Sequence, residues 1–407
     1  MFEKYDAYKD SGVHWLGSIP KHWDVKSLKF ICRLQSGETI RPEDFSNEGF
    51  PVYGGNGFRG FTKKYTNEGL HVLIGRQGAL CGNVNYADGQ FYASEHAIVV
   101  YPYKNVDTYW LGEIIRVADL NKYSQSAAQP GIAVNVIENI RFPFPELEEQ
   151  KKIADFLKKN ILLLDQAIAI KEQQIALLNE RKQIVIQKAV TQGLDPNVPM
   201  KDSGVEWIGQ IPEHWNVVRA KYLFKEVEER SVLGNEELLS VSHLTGVTPR
   251  SEKNVSMFMA EDYSGSKVCK KHDLVMNIMW AWMGALGVSN YDGIVSPAYG
   301  VYRQKVVNTF NSEYLEYLLK TTKYIEHYNR VSTGLHSSRL RFYGHMFFNM
   351  KLGFPCLDEQ NEIIASIKNQ TSKIELAVEN LTNQIEKLKE YKTTLINDAV
   401  TGKIKVA

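Results

Sequence analysis

Cysteine is scarce in this sequence, and what there is does not cluster. Cys32, Cys81, Cys269 and Cys356 are spread over 407 residues with no CxxC pair. That spacing argues against a zinc ribbon and a disulfide framework and fits a reducing compartment. No apolar run approaches the roughly 18 residues that a bilayer span needs. The opening residues Met1 to Asp6 are too polar for the apolar stretch of a secretion signal. A cytoplasmic protein without membrane contact is expected. Net charge is nearly absent too: 48 Lys and Arg against 47 Asp and Glu leave +1. Residues 1–145 hold 15 basic and 15 acidic side chains, and residues 201–357 hold 18 and 16. Without a basic tail, any binding to nucleic acid has to come from local patches or with help from a partner. Catalytic signatures are missing as well. There is no GxxxxGK[ST], HExxH, GxSxG, or GxGxxG opening a helix after a strand. The adenine-methyltransferase signature, Asn or Asp followed by two prolines and an aromatic, does not occur, and the ten histidines show no ligand spacing.

What the sequence does have is a duplication. Lys9-Asp10-Ser11-Gly12-Val13-His14-Trp15-Leu16-Gly17-Ser18-Ile19-Pro20-Lys21-His22-Trp23 returns 192 residues later as the tract Lys201 to Trp215. Over 9–25 against 201–217, 12 of 17 positions are identical. Two tryptophans, two glycines and a proline in so short a tract suggest an irregular clasp packed onto something larger. His22 and His214, at matching positions beside tryptophan, read as structural.

Two long amphipathic stretches repeat as well, roughly Gln150–Thr191 and Gln360–Thr401. Leu164, Ile168, Ile175, Leu178 and Val185 form one row, and Ile374, Val378, Leu381, Ile385, Leu388 and Leu395 form the other. Lys171, Lys182 and Lys392 fill steps in these rows. Apolar positions three and four apart make a narrow seam that wants another helix. Each helix of about 40 residues is ~60 Å long, beyond what an ordinary globular domain uses. Dimerisation is the general use of such a seam, but two matched seams in one chain favour pairing with each other.

Between these landmarks lie short strands and turns. Val72–Ile74 and Ala97–Val100 read as strands, Asp107–Tyr123 as one helix, Ser124–Gly131 as a polar loop, and the region around Ile137–Phe142 as a strand. In the second copy, strands fill about 219–306. A helix capped by Ser312 runs to about Tyr328, and Ser332–Arg341 is a polar loop. The expected fold is α+β: two β-rich mixed globular domains related by internal duplication, separated by a pair of long antiparallel coiled-coil helices. The expected boundaries are 1–145 with the clasp 9–25, 146–193 for the first helix, 194–357 with the clasp 201–217, and 358–407 for the second helix and tail. The endings Ala189-Val190-Thr191-Gln192-Gly193 and Ala399-Val400-Thr401-Gly402 are alike. The two chain ends therefore look like the central junction cut open, which implies a pseudo-twofold, nearly circular molecule.

If the chain binds nucleic acid, basic or amide side chains beside glycine-rich turns are the candidates for contact. In the first copy these are Arg76 and Gln77 for base edges, where Arg suits guanine and Gln adenine, and Arg59, Lys63 and Lys64 for phosphates. The stretch Gly54–Gly60 around Arg59 reads as a turn first and a phosphate cradle second. In the second copy they are Lys270, Lys271, Asn277 and Trp280, and the loop residues Arg330, Ser332, His336, Ser337, Ser338, Arg339 and Arg341. A solvated surface role is the alternative for each.

Together the duplicated clasp, the tracts Pro145–Gln150 and Pro355–Gln360 and the two similar endings resemble the specificity subunit of type I restriction–modification enzymes. So do Leu274–Trp280 and Ser296–Tyr302, which look like tracts of that family's recognition domains. Cys356 stands where that family's second tract usually has proline. The resemblance implies a non-catalytic, sequence-specific subunit reading a bipartite, asymmetric target in double-stranded DNA through two recognition domains. Two methyltransferase subunits would dock on the helical spacer, and restriction subunits would join. S-adenosylmethionine, ATP and Mg would belong to those partners, with no cofactor or metal in this chain. From the residues alone two other readings stay open, an enzyme with an unrecognised site among the strands and a coiled-coil scaffold that binds only protein.

Overall fold

The computed structural model describes residues 2–78, 80–124, 131–252, 262–334 and 339–406. It divides into two compact units, unit 1 of Met1–Glu172 with Leu381–Ala407 and unit 2 of Gln173–Asn380.

In unit 1 the clasp is a hairpin of β1 (Tyr8–Asp10) and β2 (Ser18–Pro20), with Lys9 opposite Ile19. Trp23 behind it is fully buried. Next come β3 (Asp24–Ser27), β4 (Cys32–Ser36), β5 (Phe45–Ser46), β6 (Phe50–Gly54), β7 (Gly57–Thr62), β8 (Asn67–Glu68), β9 (His71–Gly75), β10 (Val84–Ala87), β11 (Gln90–Ala93) and β12 (Ala97–Pro102). One antiparallel sheet has the order β10-β9-β12-β4, and a second has the order β5-β7-β6-β11-β8 with β11 and β6 parallel. The expected strands at Val72–Ile74 and Ala97–Val100 are β9 and β12, with Ile98 opposite Ile74. Both are central strands whose side chains are buried on both faces. That double burial is why they read as continuous apolar runs instead of alternating ones.

The expected helix Asp107–Tyr123 is shorter. α1 spans Thr108–Val117, and Asp107 caps it by accepting from the Trp110 N–H at 2.8 Å. Asp119 then takes a left-handed φ of 47°, a conformation Asp tolerates better than most, and one 3-10 turn, Leu120–Tyr123, buries Leu120. The expected strand near Ile137 also shifts. Ile137 ends a one-turn helix, α2 (Val134–Ile137), and the strand is β13 (Arg141–Phe144), paired with β3. From there α3 (Leu147–Gln192) runs for 46 residues.

Unit 2 repeats the plan. β14 (Met200–Asp202) and β15 (Gln210–Pro212) form its clasp hairpin, and Trp215 is buried behind them. β16 (Asn216–Arg219), the short α4 (Ala220–Leu223), β17 (Phe224–Glu226), β18 (Leu239–Ser242), β19 (Gly246–Pro249), β20 (Lys267–Cys269), β21 (Leu274–Met276), β22 (Leu286–Val288), β23 (Gly293–Val295) and β24 (Gly300–Gln304) follow. The main sheet, β17-β24-β21-β22, has the same topology as β4-β12-β9-β10. The expected helix Ser312–Tyr328 is two helices, α5 (Ser312–Leu319) and α6 (Thr322–Val331), parted at Thr321, which is extended at φ −65°, ψ 152°. The cap is Asn311, whose side chain accepts from the Glu313 and Tyr314 N–H groups, while Ser312 Oγ bonds the His272 ring instead. After α7 (Gly344–Asn349) and β25 (Lys351–Phe354), which pairs with β16, α8 (Leu357–Val400) begins.

One buried side chain fixes the start of each long helix. Gln150, fully buried, accepts from the Asp107 N–H at 2.9 Å and donates to Pro145 O at 2.9 Å. Gln360, also fully buried, accepts from the Asn311 N–H at 2.9 Å and donates to Pro355 O at 3.0 Å. The glutamate before each glutamine holds the clasp. Glu149 pairs with His22 at 3.0 Å and accepts from the Tyr5 hydroxyl, and Glu359 pairs with His214 at 2.8 Å and accepts from Trp215 Nε1.

The seam rows are the inward-facing rows. Leu164, Ile168, Leu381, Ile385, Leu388 and Leu395 in unit 1 are buried or half-buried, as are Ile175, Leu178, Val185, Ile374 and Val378 in unit 2. The interrupting lysines cross to the other helix. In unit 1, Lys392 pairs with Asp165 at 2.7 Å and Lys171 donates to Gln384 at 2.6 Å, partners that run antiparallel. In unit 2, Lys182 pairs with Glu375.

The chain ends meet in unit 1, where the Lys405 N–H donates to Glu3 O at 2.7 Å. Gly402, at φ 75°, leaves no room for a Cβ, which would fall 2.4 Å from Pro20. Gly193, at φ 77°, also faces the clasp, but a Cβ there would meet Trp215 and Pro212 only at ordinary contact distances of 3.7 and 3.9 Å, so its backbone conformation and not crowding favours glycine.

Gln150→Leu should leave the Asp107 N–H and Pro145 carbonyl unpaired, at roughly 1–3 kcal/mol for each buried group. Gln360→Leu should behave alike, and the exposed Glu148→Ala should stay within about 0.5 kcal/mol. Denaturant unfolding of the full chain measures all three, and equal losses would show that the buried amides are not special. A second expectation concerns acid. His327 stacks on the clasp residue Trp207 at 4.2 Å, and burial, with Arg330 nearby, pushes its pKa down to about 4. A base depressed by folding contributes stability above its unfolded pKa, and that contribution is lost as pH falls from near 6.5 toward 4. Thermal midpoints between pH 7 and 5 should fall more steeply for the parent than for His327→Gln.

Candidate nucleic-acid interface

In unit 1 the candidates gather where β9 ends. A Cβ on Gly75 would fall 2.2 Å from Gly55 O, and one on Gly55 would fall 3.0 Å from Gln77 O. Only glycine at both places lets the β6–β7 turn press against the end of β9. The result is a hollow of about 370 Å³ whose side chains are Asn56, Phe58, Arg59, Gln77 and His96. The backbone around it is pinned. The Arg76 N–H donates to His96 O at 2.8 Å, the Ile132 N–H donates to Arg76 O at 3.0 Å, and Gln77 bridges to Gly131. Gln77 is exposed and Arg76 half-buried. Lys63 and Lys64, just beyond β7, lie at the opposite end of that strand from Gly57 and the hollow.

In unit 2 the matching place is the end of β21. Asn277 is only 5% exposed, and its amide is committed to the fold. It donates to the Tyr299 hydroxyl at 3.0 Å and accepts from the Met279 N–H at 3.1 Å. It shapes the turn that presents Trp280, which is 46% exposed and stacked with Trp282. The Phe342 N–H donates to Ile278 O at 2.9 Å, as the Ile132 N–H does to Arg76 O in unit 1. Thr333 and Arg341 exchange backbone hydrogen bonds and pinch the base of the polar loop. Arg339 and Arg330 are exposed, and Arg341 is half-buried. Ser332 Oγ is used at the end of α6, where it donates to Tyr328 O. His336, Ser337 and Ser338 lie outside the described residues.

Lys270 and Lys271 do not join this group. They precede β21, at the end opposite Asn277. There Lys270 approaches Glu229 at 3.8 Å, and the Lys271 N–H donates to Asp292. Two strand-edge side chains close in sequence to one strand can thus face opposite ends of the sheet.

Sequence reasoning passed over His96 and took Asn56 only as part of the stretch Gly54–Gly60. Ser94-Glu95-His96, a polar step between the apolar β11 and β12, was the available signal for the first. No histidine ligand pattern announces it, because its partner is an amide. Among the described residues no three His, Cys, Asp or Glu side chains gather where they could hold a metal ion, and no helix is long and apolar enough to cross a membrane.

Comparison with known proteins points one way. Residues 20–180 match the type I restriction modification DNA specificity domain. The specificity subunit of the Escherichia coli type I restriction enzyme EcoprrI is 39% identical over 139 residues, 33% of this chain and 35% of that one. The match to that relative therefore spans about a third of its length. The MjaVIII specificity subunit of Methanocaldococcus jannaschii is 25% identical over all of this chain and 98% of its own length. Among solved structures, a chain of a type I R-M system has a TM-score of 0.67 at 14% identity, covering 94% of this chain and 98% of that one. The HsdS subunit from Thermoanaerobacter tengcongensis has a TM-score of 0.51 at 14% identity, covering 95% and 98%. At such identity these two likenesses concern the fold.

Proposed function

Because this chain belongs to the family of type I restriction–modification specificity subunits, we propose that it reads a bipartite, asymmetric target in double-stranded DNA, one half-site with each unit. The recognition domains are 1–145 and 194–357, and the helical stretches 146–193 and 358–407 serve as spacer and dock. Catalysis belongs to partners. Two methyltransferase subunits supply S-adenosylmethionine chemistry, and restriction subunits work with ATP and Mg. The complex acts in the cytoplasm.

One observation supports this reading above the rest. The same strand end, β9 in unit 1 and β21 in unit 2, meets the same neighbouring segment through the same backbone hydrogen bond, to Arg76 O and to Ile278 O. The side chains presented there differ completely. Arg76, Gln77 and Arg59 stand in one unit, Trp280, Arg339 and Arg341 in the other. A constant frame with different reading groups is what two unlike half-sites require, since base edges are told apart by the pattern of donors and acceptors offered to them. Docking has its own support. Leu163 and Ile170 in unit 1, and Leu177 and Ile184 in unit 2, stay 54–57% exposed on α3. They recur every seventh residue, the spacing that presents a row to another helix.

Arg76→Ala should relax one position of one half-site and leave the other half-site intact, and Arg339→Ala should do the reverse. Each true base contact carries about 1–3 kcal/mol of discrimination. Sequencing the methylated sites in cells that carry each variant with its partner subunits measures this. Uniform weakening on all sequences would make the residue a phosphate contact. Leu177→Glu, on the exposed row, should leave the thermal midpoint of the chain unchanged and lower its yield in complex with methyltransferase subunits. Unchanged assembly would move the dock off that face.

A further inference from the structure

Gln77 is not free to present either end of its amide. Its Oε1 lies 3.0 Å from His96 Nδ1. On the other side of the ring, His96 Nε2 lies 3.1 Å from Glu95 Oε1. The second Glu95 oxygen accepts from the Ile40 N–H at 3.2 Å, which ties the carboxylate to the backbone. An ionised carboxylate only accepts, so this arrangement places a proton on Nε2. The state of Nδ1 then decides the amide. With Nδ1 protonated it donates to Gln77 Oε1, and the NH2 group faces out. With Nδ1 bare, the same contact calls for the amide turned over, with NH2 donating to the ring and the oxygen facing out. Oxygen and nitrogen of an amide are told apart by such partners. An outward NH2 suits acceptors such as guanine N7 and O6 or thymine O4, and an outward oxygen suits the adenine or cytosine amino group.

The backbone adds to this control. Gln77 is bridged to Gly131, and the N–H of the preceding Arg76 is held by the carbonyl of His96 itself. His96 therefore holds both the backbone and the amide of the reading group, and the proton on its Nδ1 selects which end of that amide faces out. Unit 2 has a parallel in the same connection. Tyr299, between β23 and β24, bonds the amide of Asn277 at the end of β21, as His96, between β11 and β12, bonds Gln77 at the end of β9.

We propose that His96, held by Glu95, is a positioning residue that sets which end of the Gln77 amide faces the DNA, and so which base is accepted at one position of the unit 1 half-site. This rests on the reading that unit 1 meets DNA with this strand end. The experiment is methylated-site sequencing of the assembled complex with Gln77→Ala, His96→Leu, His96→Asn and the double variant Gln77→Ala/His96→Leu. Thermal midpoints serve as the folding control. Gln77→Ala and His96→Leu should relax the same single position, lowering the ratio of preferred to next-best base by roughly 5- to 150-fold, the span of a lost base contact. The double variant should be no worse than Gln77→Ala, because His96 acts only through Gln77. His96→Asn, whose short amide reaches toward the place of Nδ1 but can pair with either end of Gln77 and so selects neither, should leave the same position relaxed. If Gln77→Ala relaxes a position that His96→Leu leaves untouched, or if the two losses add, the proposal is overturned while the recognition reading stands. If Gln77→Ala relaxes no position in a target otherwise kept, the assignment of this strand end to base reading fails, and the proposal with it.

Discussion

Everything in each unit is referred to one buried amide, Gln150 in unit 1 and Gln360 in unit 2. A buried amide is costly unless both ends are paired, and here both ends are. The acceptor end holds the backbone N–H of the residue that caps the domain's helix, Asp107 or Asn311, and the donor end holds the carbonyl of the proline before the long helix. Only a side chain with donor and acceptor at fixed separation can join these segments. The adjacent glutamate turns outward to the clasp histidine. A two-residue Glu-Gln step thus locks a clasp, a domain helix and a spacer helix at one point. The copies diverge only in detail. Trp215 Nε1 donates to Glu359, whereas in unit 1 the Tyr5 hydroxyl takes the matching place on Glu149, and Trp23 Nε1 has no hydrogen-bond partner among the described residues.

From that fixed point the sheet follows, and the candidate interface follows from the sheet. β12 and β24 sit beside β9 and β21, so the connections that lead into them, Ser94–His96 and Ser296–Tyr299, arrive at the ends of β9 and β21. The two units fill this common place by different means. Unit 1 uses glycine to bring a hairpin turn within contact of the strand end, which leaves a polar hollow. Unit 2 buries Asn277 and offers an indole face and an arginine-bearing loop instead. A frame set by backbone hydrogen bonds tolerates such exchange, because the exposed side chains it presents carry little of the fold.

What could be read from sequence follows the same division. The seam was legible because period and burial coincide: the named apolar residues face inward, while Leu163, Ile170, Leu177 and Ile184, equally apolar, face out and were left out of the row. The two Glu-Gln steps and the clasp were legible because they occur twice. Breaks inside helices were not. Asp119 in a left-handed turn and Thr321 in an extended one look, in sequence, like any polar residue on an amphipathic face. The placement of the candidate side chains was legible in part. Arg76 and Gln77 follow the end of β9 and Trp280 lies in the turn after β21, as turn chemistry suggested, whereas Arg59, expected in a turn, lies within β7. Asn277 could not be told from an exposed amide, because Tyr299, which claims it, is 22 residues away. Lys270 and Lys271 could not be told from neighbours of Trp280, since a three-residue strand is enough to send them to the opposite edge.

The long helices add a constraint of their own. Their outer ends are part of the globular cores. Ile153, Ala154, Leu157, Leu395, Ile396 and Ala399 belong to the unit 1 core, and Ile186, Ala189, Val190, Ile363, Ile364 and Ile367 to that of unit 2. Between those ends each unit keeps only a narrow seam. Leu178, Val378 and Leu381 are half-buried, and lysines span the steps where an apolar residue would be expected. A cation that must reach a partner across the seam fixes register at little gain in stability, since a partly exposed ion pair contributes on the order of 0–1 kcal/mol. The middle of each helix is therefore held by the welds at its ends and by register more than by buried area. Burial still to be gained lies on the outward row of α3, where about 25 cal/mol per Å² of apolar surface remains unclaimed until something covers it.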